Sequence, residues 1–494
     1  MNEAMQGSPP PRSSDGKHWL CIAYAFPPIN RSGTHRTLGF VRHLASKGWD
    51  ATVISVEPGT EPVDDSLCAR VPASTTVIRT PWIDLISSIK ESLRIGAGSR
   101  TPPHGDDRGP SPVAAKRNAF SLREWITQLL ITPDSRLGWI GPAVRAGLKS
   151  IRRRRPDVIY STSPYMSAHL IAWILSHRTR VPWVVDFRDP WRDNPFRRLP
   201  YRSLERWDAW LEGCVLHRAS HIVCNTPATT DRLCRRVPCV ARKCTTILNG
   251  FDAELFEGLA PVRCAGANGF VMTHCGQFYG PRSPSVWFLA LRRLLDESPR
   301  LARRIRFVLI GPETFEGRSL SDLAAKAGVA ELVRVEGRLG HAETLARMAG
   351  SDALVLAGST GAGSELQVPH KLFEYLAVKK PILAAVSARS PVVGILEEAH
   401  AVACVCDPDD DAAISRAIGT LASGTRMTPM GAWSGVDKFE RGRRADQLVA
   451  IFHRISGARP CYQGYILAAE TSPAADITRP RSTPTAVTLG GRQS

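Results

Sequence analysis

The residues best suited to chemistry lie in one stretch, Ser364 to Ala384, where Pro369, Lys371, Glu374 and Tyr375 stand in the spacing P-x-K-x-x-E-Y. Pro369 suits the first turn of a helix, because its missing N–H would be unpaired there in any case. Lys379 and Lys380 suit the last turn, and Pro381 ends it. Lys371 falls in the first turn, where the helix already presents positive charge and orphan N–H groups. A cation there is mildly unfavourable unless an anion binds at the same place, and helix N-termini are natural phosphate sites. Glu374 lies on the same helical face as Lys371, while Leu372, Tyr375 and Leu376 form the core-facing stripe. Two readings fit this spacing. Either Lys371 holds a phosphate and Glu374 the hydroxyls of a ribose, or the two make an exposed ion pair of little energetic weight.

Other chemistry-bearing groups sit where strands should end. Strand Phe270–Gly276 runs into the loop Gln277–Ser283, and a helix follows from Pro284, so Gly276 and Arg282 frame a phosphate site. A plain surface arginine is the alternative for Arg282. Strand Val181–Trp191 ends in Asp186, Arg188 and Asp189, and strand Pro156–Ser163 ends in small polar residues. In open α/β sheets ligands bind beyond the carboxyl ends of strands, which places Ser163, Asp186, Arg188 and Asp189 in a crevice. An internally paired Arg–Asp cluster is the competing explanation. Gly33 lies where the loop Phe26–Gly33 turns into a helix, either approached closely by a ligand or making a tight turn. The loop Gly358–Ser364 resembles a phosphate cradle but lacks the G-x-x-x-x-G-K-[ST] string. Asp407–Asp411 precedes a helical segment, so N-capping explains it and no metal is expected there.

These groups need elements to carry them. Apolar runs at Trp19–Ala25 and Ala51–Val56 flank a helical pattern over Thr34–Lys47, which is a βαβ unit with a parallel sheet. Strand and helix signals then alternate through His221–Thr226 and Thr246–Asp252. Tyr201–Arg218 reads as an amphipathic helix with Leu204, Trp207, Leu211 and Val215 on one face. The alternation restarts at Phe270 and continues through Ile305–Gly311, Val333–Gly337, His341–Ala349 and Asp352–Ala357 to the Lys371 helix. A final helix runs from Arg441 to Ile455. The expected organisation is a tail over 1–17, a first Rossmann-like domain over 18–262 with an insertion at 97–118, and a second over 268–432. A helical segment over 433–458 and a polar tail over 459–494 complete it.

The 494 residues suffice for two cores, and Lys plus Arg at 64 against Asp plus Glu at 46 gives a net charge of +18. Such a balance points to an anionic partner. No zinc-finger spacing and no aromatic-interleaved basic run is present, which argues against nucleic acid. Arg152–Arg155 is either a solvated helix end or a patch for anionic lipid head groups. The 12 cysteines show no regular framework and are expected to be reduced, as in a cytoplasmic protein. The N-terminus lacks an apolar h-region and no apolar stretch reaches the length of a bilayer span, so any membrane association is expected to be peripheral.

The P-x-K-x-x-E-Y string followed by Lys-Pro-Ile-Leu resembles the donor-site signature of family 4 glycosyltransferases, retaining enzymes of the GT-B fold. F-P-P-x-x-x-x-G at Phe26–Gly33, I-L-N-G-F-D at Ile247–Asp252 and G-x-F-Y-x-x-R at Gly276–Arg282 are similar to further strings of that family. D-F-R-D-P-W at Asp186–Trp191 resembles one bacterial branch. The common signature carries a second glutamate where this chain has Leu366, with Glu365 beside it, and many members carry His-Asp near Asp189. The resemblance implies two Rossmann-like domains facing across a cleft, with the last helix returning to the first. It implies a nucleotide-diphospho-sugar in the second domain and a glycan or lipid-linked acceptor in the first, with no cofactor. Glu374 would bind the ribose and Arg282 and Lys371 the diphosphate, with Gly33, Gly276, Val368 and His370 also at the donor. Asp189 and Arg188 would join Arg282 and Lys371 as catalytic groups, and Ser163 and Asp186 would lie on the acceptor side. Polysaccharide biosynthesis at a cell surface is the expected setting. A nucleotide-sugar epimerase of the same fold and a non-catalytic assembly protein are the rival readings. A dehydrogenase is disfavoured by the missing G-x-G-x-x-G.

Overall fold

The computed structural model describes residues 16–84, 122–194, 197, 199–266, 269–280, 282–358, 363–424 and 431–457. The first lobe is built on seven parallel strands: β1 (Lys17–Ala23), β2 (Trp49–Val56), β3 (Thr76–Thr80), β4 (Val158–Thr162), β5 (Trp183–Phe187), β6 (His221–Cys224) and β7 (Cys244–Thr246). Their order is β3-β2-β1-β4-β5-β6-β7. Alternation along the strands divides the core in two. Leu20, Ile22, Ile159 and Val185 face one layer of helices, and Trp19, Cys21, Val158 and Val184 face the other. Strands covered on both faces are apolar throughout, so they read as continuous hydrophobic runs.

The second lobe repeats the plan with β8 (Phe270–Cys275), β9 (Ile305–Ile310), a small hairpin of β10 (Thr314–Phe315) and β11 (Arg318–Ser319), β12 (Val333–Gly337), β13 (Ala353–Ala357), β14 (Ile382–Ala385) and β15 (Ala403–Cys406). Six of these form a parallel sheet in the order β12-β9-β8-β13-β14-β15. Each sheet reverses its winding once, between β1 and β4 and between β8 and β13. Such switch points open a crevice at the carboxyl ends of the strands.

The final helix, Arg441–Ser456, returns to the first sheet. Leu448, Ile451, Phe452 and Ile455 pack with Trp19 and Trp49, and the Phe452 ring lies 5.3 Å from that of Trp49. At its start Arg441 is buried, and its Nε donates to Asp252 at 2.8 Å and its Nη2 to the Gly250 carbonyl at 2.6 Å. Asp410 caps the helix Asp411–Ala422 by accepting from the Ala413 amide, which is the capping role expected of that acidic run.

Several expectations are corrected. The half-buried edge strand β3 has no strong apolar run to announce it. Trp207, expected in the core, is 41% exposed and stacks on Trp210 with ring centroids 4.9 Å apart. Lys379 does not sit in the last turn of its helix but closes it in the left-handed region, at φ 57°. Gly16 and Lys17 belong to the fold rather than to a tail, since Arg154 binds the Gly16 carbonyl and Lys17 opens β1. The insertion 97–118 and the tail 459–494 lie outside the described residues. Among the described residues no helix is long and apolar enough to cross a membrane.

Candidate active site

The second lobe presents its cations where β8 ends. Gly276 follows the strand at φ 123°, a conformation open to glycine, and a Cβ there would stand 3.4 Å from Lys371 Nζ. His274, on β8, donates Nδ1–H to the Val355 carbonyl at 3.1 Å. That assignment leaves Nε2 to accept from Lys371 Nζ at 3.2 Å. Burial first, and the nearby charge of Arg282 second, push the Lys371 ammonium down to about 7. Arg282 lies 5.0 Å over the Tyr279 ring and donates to Gln367 Oε1 at 3.2 Å. Beside it a shallow surface pocket past β13 and β14 is lined by Arg282, Gly358, Gln367, Pro369 and Ser387.

Glu374 is carried by the helix Lys371–Val378, whose apolar side is set in the core by Leu372, Tyr375 and Leu376. Its Oε1 accepts from His341 Nε2 at 2.8 Å. Burial would raise the carboxyl, but the hydrogen bond and charge of His341 outweigh it and hold Glu374 at about 2. The same pairing raises His341 above an ordinary histidine although burial opposes it. His370 faces the pair with Nδ1 4.0 Å from Glu374 Oε1, and its Nε2 accepts from Arg441 Nη2 at 3.1 Å. Burial takes His370 down to about 3, so it is neutral.

The first lobe meets this cluster. His35, on the helix Ser32–Ala45, brings its ring to 4.9 Å from His341 and 5.9 Å from His370. Arg188 lies close enough for its charge to depress His370 further. Gly33 leaves room for that arginine, since a Cβ on it would fall 2.4 Å from Arg188 Nη1 and push the guanidinium aside. Lower in the junction, the hydroxyls of Thr226 and Thr229 donate to the Leu366 carbonyl at 3.3 and 3.4 Å.

The structure therefore gathers Gly276, Arg282 and Lys371 into one group and His370 and Glu374 into an adjoining one, with Gly33 and Arg188 opposite. Asp189 follows Arg188, half-buried, and its charge is felt by that guanidinium. Three expected positions are corrected. Asp186 does not line the crevice: it is fully buried, and both oxygens are taken by Arg36 Nε and Nη2 at 2.9 Å, with Tyr160 and Thr162 adding bonds. Ser163 is also buried, and its hydroxyl accepts the Arg188 amide, which fixes the arginine's loop. Val368 turns its side chain into the apolar core of the second lobe. His35, His274, His341 and Arg441 were not read from the sequence. The rule that ligands lie beyond strand carboxyl ends would have pointed to His274 at the end of β8 and His341 just past β12.

Paired cations beside a glycine turn suit a diphosphate, and a carboxylate on the next turn of helix suits a diol. Residues 105–255 match the sequence profile of Glycosyltransferase Family 4. The chain is 27% identical over 266 residues to D-inositol 3-phosphate glycosyltransferase 1 of Catenulispora acidiphila, covering 50% of this chain and 60% of that one. It is 31% identical over 137 residues to the D-inositol 3-phosphate glycosyltransferase of Stackebrandtia nassauensis, covering 26% of this chain and 31% of the relative. The matches thus span 31% to 60% of these curated relatives' lengths. Among solved structures, a glycosyltransferase of Rickettsia africae superposes with a TM-score of 0.58 at 12% identity, covering 90% of this chain and all of that one. The Anabaena protein HepE in complex with UDP superposes with a TM-score of 0.53 at 14% identity, covering 88% of this chain and 99% of that one. The chain thus carries a segment that matches the family 4 glycosyltransferases and has the two-lobed GT-B fold.

Proposed function

We propose that this protein transfers a glycosyl group from a nucleotide-diphospho-sugar to an acceptor, with retention at the anomeric carbon. The second lobe (268–432) holds the donor and the first (18–262) the acceptor. The observation that carries this reading is Lys371 beside Gly276, with its ammonium depressed by burial and by Arg282. Two cations placed together in a buried crevice are unfavourable by themselves and suit a dianionic diphosphate. In the reaction the bond from the anomeric carbon to the diphosphate breaks and negative charge grows on the leaving oxygens. Lys371 and Arg282 meet that charge from fixed positions, so the step is not assigned to a metal ion. Glu374 holds the ribose. Arg188 and Asp189, opposite His370, are assigned to the acceptor and the transferred sugar. The curated relatives are named for transfer to a phosphorylated inositol. A phosphorylated polyol is therefore a second acceptor class beside a glycan or a lipid-linked sugar.

Polysaccharide assembly at the cytoplasmic face of an anionic membrane is part of the same proposal. The arginine run Arg152–Arg155 supports it less than its charge suggests. Arg154 binds Asp50 and Arg155 binds the Thr179 carbonyl, leaving Arg152 and Arg153 as the exposed pair that ends the helix Ile140–Arg153.

A charge-assisted bond is worth about 1.5–3 kcal/mol, so losing one costs roughly tenfold to a hundredfold in rate. Lys371→Ala and Arg282→Ala are each expected to lower kcat/KM for donor consumption by that factor. Wild-type turnover in both variants would remove the diphosphate assignment.

A further inference from the structure

Glu374 differs from four buried carboxylates of the first lobe. Asp186, Asp208, Glu212 and Asp252 each have both oxygens bonded to nearby side chains, as a structural carboxylate requires. Glu374 has its contacts on one oxygen. His341 Nε2 reaches Oε1 at 2.8 Å and His370 Nδ1 lies 4.0 Å from the same atom. Among the described residues no side chain or amide bonds Oε2. The terminal torsion of a glutamate is broad, so an unheld carboxylate on this helix would turn freely. His341 removes that freedom. It comes from a different element, the helix His341–Ala349, and its ring is backed at 4.9 Å by His35 from the first lobe.

We propose that His341 is a positioning residue for donor recognition: it pins Oε1 of Glu374 and thereby aims Oε2 at a ribose hydroxyl of the nucleotide. The inference rests on the donor-site reading above and adds a residue to it. His341 does not touch the donor itself. It orients the acceptor atom before the ligand arrives, so the ligand does not bear the entropic cost of ordering it. His35 carries the same order across the lobes, because its ring packs on His341 only while the helix Ser32–Ala45 lies against the second lobe.

The test compares UDP, GDP and ADP with their 2′,3′-dideoxy counterparts by calorimetry on full-length wild type, His341→Ala, His341→Gln and Glu374→Ala. In wild type the preferred ribonucleotide should bind about tenfold or more tightly than its dideoxy counterpart. His341→Ala should lose most of that ratio while binding the dideoxy compound like wild type. His341→Gln, whose amide can still donate to Oε1, should recover part of it. The dideoxy arm separates a positioning role from general damage, which would weaken both ligands. A full ribose preference in His341→Ala, with that preference lost in Glu374→Ala, overturns the role of His341 and leaves the donor site standing. A full preference in Glu374→Ala, or no binding of any diphosphate to wild type, overturns the donor-site reading and this inference with it.

Discussion

Lys371 carries the largest consequence at the scale of single residues. Its ammonium lies at about 7 because burial and Arg282 both oppose its charge. An anion bound beside it removes part of that opposition and raises its pKa. At pH 8 the free site holds Lys371 mostly neutral and the donor-bound site holds it charged, so donor binding takes up a proton. Affinity should therefore fall as pH rises from 7 towards 9. Nucleotide-sugars carry no phosphate that titrates in this window, so calorimetry in buffers of different ionisation enthalpy reads the uptake directly. The expected value approaches one proton at pH 8 in wild type and zero in Lys371→Ala. Equal uptake in the two proteins would contradict the placement of Lys371 against the diphosphate. Lys371 and Glu374 stood out in the sequence because a cation in a first helical turn is out of place there and a glutamate three residues on shares its face, but spacing left an exposed ion pair open and only the resemblance to a donor signature favoured the phosphate and ribose roles. His274 and His341 lie at or just past strand ends, which marks them as crevice residues, but their contacts to Lys371 and Glu374 run between elements and no periodicity encodes them.

At the scale of elements, the crevice depends on how the helix Ser32–Ala45 is fastened to the strand ends beneath it. Arg36 on that helix is fully buried and reaches Asp186 at the end of β5 with two bonds of 2.9 Å. It also donates to the Ile247 carbonyl at 2.9 Å and to Asn249 at 3.1 Å. One side chain thus ties together the helix that bears Gly33 and His35, the strand that leads to Arg188, and the segment after β7. Removing one partner of a buried ion pair leaves the other charge uncompensated, at a cost of about 3–5 kcal/mol. Arg36→Met should lower unfolding stability by that amount in denaturant titration, and a loss under about 1 kcal/mol would contradict the fastening role. The pairing holds Asp186 below the usual carboxylate range although burial opposes it. Its contribution is therefore present above the ordinary aspartate pKa of about 4 and lost only as pH falls through the lower folded value. The sequence showed Asp186, Arg188 and Asp189 as one crowded group but not that Arg36, 150 positions earlier, claims the first of them. Crowding of charges marks a strand end; it does not say which members are bonded inward.

At the scale of the whole molecule, the two sheets were readable because parallel strands covered on both faces leave unbroken apolar runs, and because the strand–helix alternation restarts after the linker. The edges were less readable: β3 is half-buried and β7 spans three residues, so neither burial nor length announces them. Trp207 was misplaced by helical period alone, since a face that looks apolar in register carries an exposed Trp207–Trp210 stack. What period and composition do not encode is how the lobes meet. Here the meeting is made by His35 on His341 and His370, by Thr226 and Thr229 on the Leu366 carbonyl, and by the final helix crossing from Arg441 back to Trp19. Those contacts set the donor groups of one lobe against Gly33 and Arg188 of the other, and the proposed transfer requires both.

The proposed transfer depends on the second lobe holding a nucleotide-diphospho-sugar with Glu374 on its ribose. The most direct measurement is the thermal shift of wild type and Glu374→Ala with UDP-, GDP- and ADP-sugars. Donors of one base are expected to stabilise the wild type and to leave Glu374→Ala unshifted at the same concentration. No shift with any donor, or equal shifts in the two proteins, would contradict it.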